Sequence, residues 1–233
     1  MTIDEFILEL KKLNIIPSDD QLDKLERYYE LLIKYNEVIN LTSITEKKQV
    51  YLKHFYDSLT IIKVVNLDKY DSLCDFGTGA GFPGLVLKIF YPNLHVTLID
   101  SLNKRIVFLN EVINQLELKN IKTVHSRIED YGIKNREKYD LVTCRAVAST
   151  NILLEYAIPI TKINGYFICL KGNMENELSY KNAIDKLNVE ESIKKQFRLP
   201  IENSQRTIIV FKKITKTSQL FPRKYKEIKN KPL

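Results

Sequence analysis

Four of the chain's seven glycines fall in one short stretch, Cys74-Asp-Phe-Gly-Thr-Gly-Ala-Gly-Phe-Pro-Gly84. Glycines at that density permit backbone conformations closed to other residues and let a ligand approach main-chain N–H groups closely. The stretch divides in two registers with different chemical consequences. Read from Gly79, it gives Gly79-x-Gly81-x-x-Gly84, a loop that receives the pyrophosphate of a dinucleotide. Read from Asp75, it gives Asp-x-Gly-x-Gly-x-Gly, which suits a nucleoside ligand of another kind.

A loop of this type needs a strand before it and a helix after it. From Ser72 onward, short apolar runs alternate with helical patterns. SLCDFG, HVTLID, IKTVHS, YDLVTCRA, GYFICLKG, SIKKQFRL and RTIIVFKK read as strands. PGLVLKIF, NKRIVFLNEVINQL and NILLEYAIPIT read as helices between them. The pattern predicts an α/β fold: a Rossmann-like, seven-stranded mixed sheet with helices on both faces. LPIENSQ is too short for a crossover helix, so the last two strands are expected as an antiparallel pair at the sheet edge. Residues 1–66 contain no glycine and read as an N-terminal helical extension. One helix is expected over Thr2 to Leu13, a second after the Pro17-Ser18-Asp19 break, and a third from near Glu46. The expected organisation is a helical cap over 1–66, a nucleoside-binding domain over 67–213 and a basic tail over 214–233.

Strand position decides the register. The first strand ends at Phe76 and Pro83 suits the first turn of the following helix, so Gly77, Gly79 and Gly81 form the turn. Phe82 then occupies the position of the third dinucleotide glycine, where bulk disfavours pyrophosphate approach. S-adenosylmethionine has no pyrophosphate, and Asp75 is placed to receive its cationic amino-acid end. Asp100, at the end of the second strand, can accept both ribose hydroxyls, a feature shared by both cofactor classes. Ser126-Arg127-Ile128-Glu129 follows the third strand, where an adenine edge would lie.

The whole chain limits the remaining possibilities. At 233 residues, 44% hydrophobic and 28% charged, it has the composition of a soluble globular protein. No leader pattern or apolar run of membrane-spanning length is present, so a cytoplasmic location is expected. Cys74, Cys144 and Cys169 sit in strand-like runs without metal-ligand spacing and read as buried thiols; no metal is expected. The net charge of +7 is concentrated from Lys212 onward, where Glu227 is the single acid. A polyanion is one reading of that excess, solubility the other. No long exposed heptad argues for an obligate partner, so a monomer is expected.

Taken together, Asp75-Phe-Gly-Thr-Gly-Ala-Gly-Phe-Pro-Gly84, Asp100-Ser-Leu-Asn-Lys-Arg105, Ser126-Arg-Ile-Glu129, Arg145-Ala-Val-Ala148 and Leu170-Lys-Gly172 resemble one family across nearly the whole chain. It is the bacterial small-subunit ribosomal RNA methyltransferase G family, also called glucose-inhibited division protein B. Asn40-Leu-Thr42 and His54-x-x-Asp57-Ser-Leu59 resemble its N-terminal signatures. The resemblance implies a class I methyltransferase fold and transfer of a methyl group from S-adenosyl-L-methionine to N7 of one guanine in 16S ribosomal RNA, alone or in the small subunit. It also implies cofactor contacts at Gly77, Phe82, Ile128, Glu129 and Arg145. The basic terminus is similar to the family's, although Lys226-Glu227-Ile228 stands where a glycine and a second proline are usual.

N7 of guanine has an in-plane lone pair and no proton to lose, so no general base is required. What remains is alignment and charge stabilisation. Arg145 and Lys171, at the ends of adjacent strands, are candidates for the rim near guanine O6 or a flanking phosphate; pairing of Arg145 with Asp140 or Glu129 is the structural alternative. Lys104, Arg105, Arg127, Arg206, Arg223 and Lys224 are candidates for RNA backbone contacts. His54 is balanced between an interior role and an RNA contact, and the tyrosines of the helical extension read as packing. A small-molecule methyltransferase and a non-catalytic RNA-binding protein are the competing functions.

Overall fold

The structure is a computed structural model describing residues 1–145, 148–174 and 178–233. Seven strands, β1 (Ser72–Phe76), β2 (His95–Asp100), β3 (Ile121–His125), β4 (Tyr139–Arg145), β5 (Thr161–Lys171), β6 (Val189–Arg198) and β7 (Gln205–Lys213), form one sheet in the order β3-β2-β1-β4-β5-β7-β6. The first five are parallel, while β7 runs antiparallel to both β5 and β6. The expected edge pair is thus present, with β7 inserted inside β6.

Successive residues of a strand face opposite sides, and here each side has its own core. Leu73, Leu141, Ile168, Leu170, Ile208 and Val210 face one; Cys74, Phe76, Val142, Phe167, Ile209 and Phe211 face the other. The first core is covered by α1 (Ile3–Lys12), α2 (Asp19–Ile39), α3 (Lys47–Val50) and α4 (Asp57–Leu59), and by two helices following strands, α5 (Gly84–Phe90) and α6 (Asn103–Gln115). The second is covered by α7 (Ile128–Lys134), α8 (Thr150–Ala157), α9 (Lys181–Leu187) and α10 (Tyr225–Asn230).

Local sequence explains the helix starts. Thr2 and Ser18 each close a capping box with the residue three positions on, Glu5 and Gln21. The expected third helix is more complex: α3 passes into a π-helical stretch, Tyr51–Tyr56, then α4, then a 3-10 turn, Thr60–Lys63. Helices α7, α9 and α10 were not expected. Each spans two turns or fewer, too short to display a 3.6-residue period, and each is stabilised by packing.

Cysteines 74, 144 and 169 are free and buried. Among the described residues no helix is long and apolar enough to cross a membrane.

Candidate functional site

The glycine loop begins where β1 ends. Gly77, Gly79 and Gly81 have φ of 61°, 61° and 101°, which selects the register read from Asp75. Gly84 opens α5 with no room for a side chain: a Cβ there would strike Leu98 and lie 2.8 Å from Asp75 Oδ2. Asp75 occupies a different place from the one expected. It is fully buried beneath the loop, where Oδ2 accepts from the Thr78 hydroxyl at 2.6 Å and the Gly84 N–H at 2.8 Å. Burial pushes its carboxyl up to about 7, and its other oxygen has no hydrogen-bond partner. Asp75 therefore shapes the loop from within and lines neither cavity beside the loop, and Gly81 likewise packs inward against Leu85 and Tyr28.

Asp100 stands at the carboxyl end of β2 as expected. Its Oδ2 accepts from the Gly79 N–H at 2.9 Å and from Arg105 Nη1 at 3.2 Å; Oδ1 accepts from the Leu102 N–H at 2.9 Å. A carboxylate offers about four acceptor positions, so Oδ1 retains one.

Two cavities of about 420 Å³ each meet at Gly77, Asp100 and Ser101. The first opens on the side of the second core, with Ile99, Ile128, Glu129, Tyr156 and Tyr225 in its wall. Glu129 Oε1 is buried there without a hydrogen bond, 3.8 Å from Arg127 Nη1, and burial raises the carboxyl. An acceptor so placed in a cavity wall has room for a donor from a ligand. The second cavity opens toward the helical layer and is lined by Thr42, His54, Gly79, Phe82, Arg105 and Arg145 among others.

Arg145 is tied to the helical layer. Its Nη1 donates to the Lys53 carbonyl at 2.9 Å and approaches Asp57 Oδ2 at 3.4 Å, while Nη2 meets His54 Nδ1 at 3.1 Å. Nδ1 lies 3.1 Å from that guanidinium and 3.2 Å from the Lys53 carbonyl, and Nε2 meets Thr42 Oγ1 at 3.0 Å, so the neutral ring is held on both edges. Burial first, then the Arg145 charge, hold His54 neutral with a pKa of about 3. Its ring stacks on Phe82 at 4.4 Å and 17°, and Tyr28, stacked on the same ring, donates its hydroxyl to the Ala80 carbonyl. The helical layer thus grips the glycine loop. Neither alternative partner takes Arg145: Asp140 is engaged by Ser72 and Lys162, and Glu129 lies in the first cavity.

A family model described as GidB, rRNA small subunit methyltransferase G, matches residues 21–209. The chain belongs to that family. A ribosomal RNA small subunit methyltransferase G from Bacillus subtilis is 48% identical over 228 residues, covering 96% of this chain and 95% of its own. One from Lactobacillus helveticus is 44% identical over the full length of both chains. Among solved structures, a 16S rRNA (adenine(1408)-N(1))-methyltransferase from Catenulisporales acidiphilia has a TM-score of 0.52 at 13% identity, covering 65% of this chain and 92% of its own. That likeness carries the fold alone: a class I methyltransferase sheet.

Within this member of the methyltransferase G family, the cations expected at the RNA divide into two groups. Arg206 Nε donates to both oxygens of Asp57 at 3.1 Å, making it a clasp between β7 and the helical layer. Arg223 donates to both oxygens of the fully buried Glu155, at 2.8 and 2.6 Å, and so anchors the tail. Both therefore have structural carboxylate partners. Lys104 and Lys224 are exposed, Arg105 is held by Asp100, and Arg127 lies 4.5 Å above the Tyr225 ring. Lys171 stands one step out of register with Arg145, whose partner on β5 is Leu170, and its Nζ donates to the Ala148 carbonyl at 2.6 Å. The two do not share one rim. Ala146 and Val147 of the expected motif lie outside the described residues.

Sequence reasoning missed Tyr225 and Lys229, both in the wall of the first cavity. Their four-residue spacing, with Ile228 between them, is the signal of a short amphipathic helix inside the basic tail.

Proposed function

We propose that this chain transfers a methyl group from S-adenosylmethionine to N7 of a guanine in 16S ribosomal RNA, as a monomer in the cytoplasm. The observation that carries the reading is the pair of cavities joined at Gly77 and Asp100 in a chain of the methyltransferase G family. Gly77, Asp100, Ile128 and Glu129 would hold the adenosine half, with the free position on Asp100 Oδ1 and the buried Glu129 oxygen accepting from hydroxyl or amino groups. Gly79, Phe82 and Arg145 would border the amino-acid end and the entry of the base. When bound, the cofactor supplies an electrophilic methyl on a sulfonium.

The protein's part is geometric and electrostatic. A purine N7 brings its own lone pair, so no side chain need take a proton. His54, neutral and stacked on Phe82, holds Arg145 in place and is not a base. Arg145, its charge balanced by Asp57, stands beside the second cavity, where it would face guanine O6 or a flanking phosphate. Lys104 and Lys224 supply exposed positive charge for an RNA backbone.

Labelled methyl transfer tests the reading, using deproteinised 16S RNA, intact small subunits and subunits from a strain lacking the gene. Incorporation is expected into the last substrate. Its absence there contradicts the assignment, while dependence on RNA alone or on the particle identifies the substrate form. Light scattering at the expected monomer mass checks the oligomeric state.

A further inference from the structure

The basic tail reads in sequence as an arm for RNA, yet its residues behave like a structural element. Ile228 is fully buried and Leu233 nearly so. Asn151 Nδ2 donates to the Leu233 carbonyl at 3.2 Å, and Arg136 gathers the carbonyls of Thr217, Ser218 and Phe221. Arg223 adds its backbone N–H, at 2.9 Å, to the two side-chain bonds it makes with Glu155. A six-residue helix has no stability of its own, so these anchors are what orient α10. The side they present to the molecule carries Tyr225 and Lys229 into the wall of the first cavity, opposite the loop that follows β2.

We infer that Tyr225 is a cofactor-contacting residue and that the C-terminal segment completes the adenosine half of the site. The inference rests on the reading that the first cavity receives adenosine. Arg127, from the turn after β3, lies 4.5 Å from the centre of the Tyr225 ring and lines the same cavity. The guanidinium covers one face of the phenol ring and both groups line the cavity, so a purine can pack its face or edge against the pair. Charge on the tail is compatible with this: Lys224 and Lys226 stay exposed, so one short helix closes the cofactor cavity inward and leaves cations outward.

The test uses the full chain without RNA. Tyr225→Ala is expected to weaken S-adenosylhomocysteine binding roughly tenfold by calorimetry, the scale of one base–aromatic contact, while Tyr225→Phe stays within about twofold. Tyr225 is 38% exposed, so neither change should unfold the protein, and thermal melting checks this. The chain contains no tryptophan, so Tyr225→Trp places a single reporter in the wall. Its emission should shift on titration and saturate at the calorimetric Kd. Unchanged affinity in Tyr225→Ala, or a silent reporter at saturation, overturns the inference. A wild-type chain that fails to bind S-adenosylhomocysteine overturns the cofactor reading and this inference together, which separates the two failures.

Discussion

The two faces of the sheet are closed by opposite ends of the chain, and they are closed differently. On one face the N-terminal helices share a continuous core with α5 and α6, and a charged network at Asp57 joins them to β4 and β7. On the other, a short C-terminal segment adds Ile228 and Leu233 to the second core and is pinned by one buried ion pair and a few backbone contacts. Burying Ile228 contributes roughly 1.5–3 kcal/mol, which the long helical layer exceeds many times over. The first closure is therefore expected to unfold with the sheet, and the second to open at lower cost. The glycine loop lies between them, gripped from the helical side by Tyr28 and His54 and bordered on the tail side by the cavity that contains Tyr225.

The largest effect belongs to the helical face. Replacing Asp57 with Ala leaves Arg145 and Arg206 without their shared carboxylate in a largely desolvated site, and should cost about 3–5 kcal/mol of global stability in urea unfolding. A loss below 1 kcal/mol would mean that the layer is held by apolar packing alone. Next in size is Asp100→Ala, which removes acceptors for Gly79 and Leu102 as well as the ribose position. It should weaken S-adenosylhomocysteine binding by about 2 kcal/mol, and unchanged calorimetric affinity takes Asp100 out of the site.

The tail face predicts a smaller and local change. Arg223→Ala strands the buried Glu155, but undocking the tail rehydrates that carboxylate, so global stability should fall by no more than about 2 kcal/mol. Hydrogen exchange should instead rise selectively over residues 214–233. Protection lost equally across the sheet would show that both ends belong to one cooperative unit.

On the helical face, two buried groups respond to acidity in opposite senses. His54, held neutral at a pKa of about 3 against an ordinary 6.5, adds stability that is present above pH 6.5 and lost as pH falls from there toward 3. His54→Gln should flatten that acid limb. Asp75, raised to about 7, acts in the opposite sense: its contribution is present below its ordinary 3.8 and is lost as pH rises through 7, so Asp75→Asn should gain relative stability in mildly alkaline buffer. Parallel pH–stability curves for variants and wild type contradict both assignments. The smallest effects fall on exposed cations: Lys104→Ala and Lys224→Ala should each lower the salt dependence of small-subunit binding by about one unit of slope or less, with little change in cofactor affinity.

What was legible in the sequence follows the same division. The glycine turn, Asp100 at the end of β2, and the antiparallel edge pair are each encoded in a short local stretch, and periodicity or turn chemistry finds them. The placement of Asp75 beneath the loop was not legible because spacing cannot tell a carboxylate facing a ligand from one facing the inside of its own loop. Arg145 finds Asp57 and Arg206 finds the same carboxylate across most of the chain length, a convergence no local pattern records. The tail was read by its charge, which concealed Tyr225, Ile228 and Leu233, the residues that dock it.

A cofactor held by its adenosine half at Gly77 and Asp100 would deliver its methyl group to N7 of a guanine in 16S RNA. Mass-spectrometric mapping of 16S RNA from methylated small subunits tests it most directly. One 7-methylguanosine, formed by the wild-type chain and lost in Asp100→Ala, is the predicted result. Methylation at another atom or another class of base, or none in the presence of bound cofactor, would contradict it.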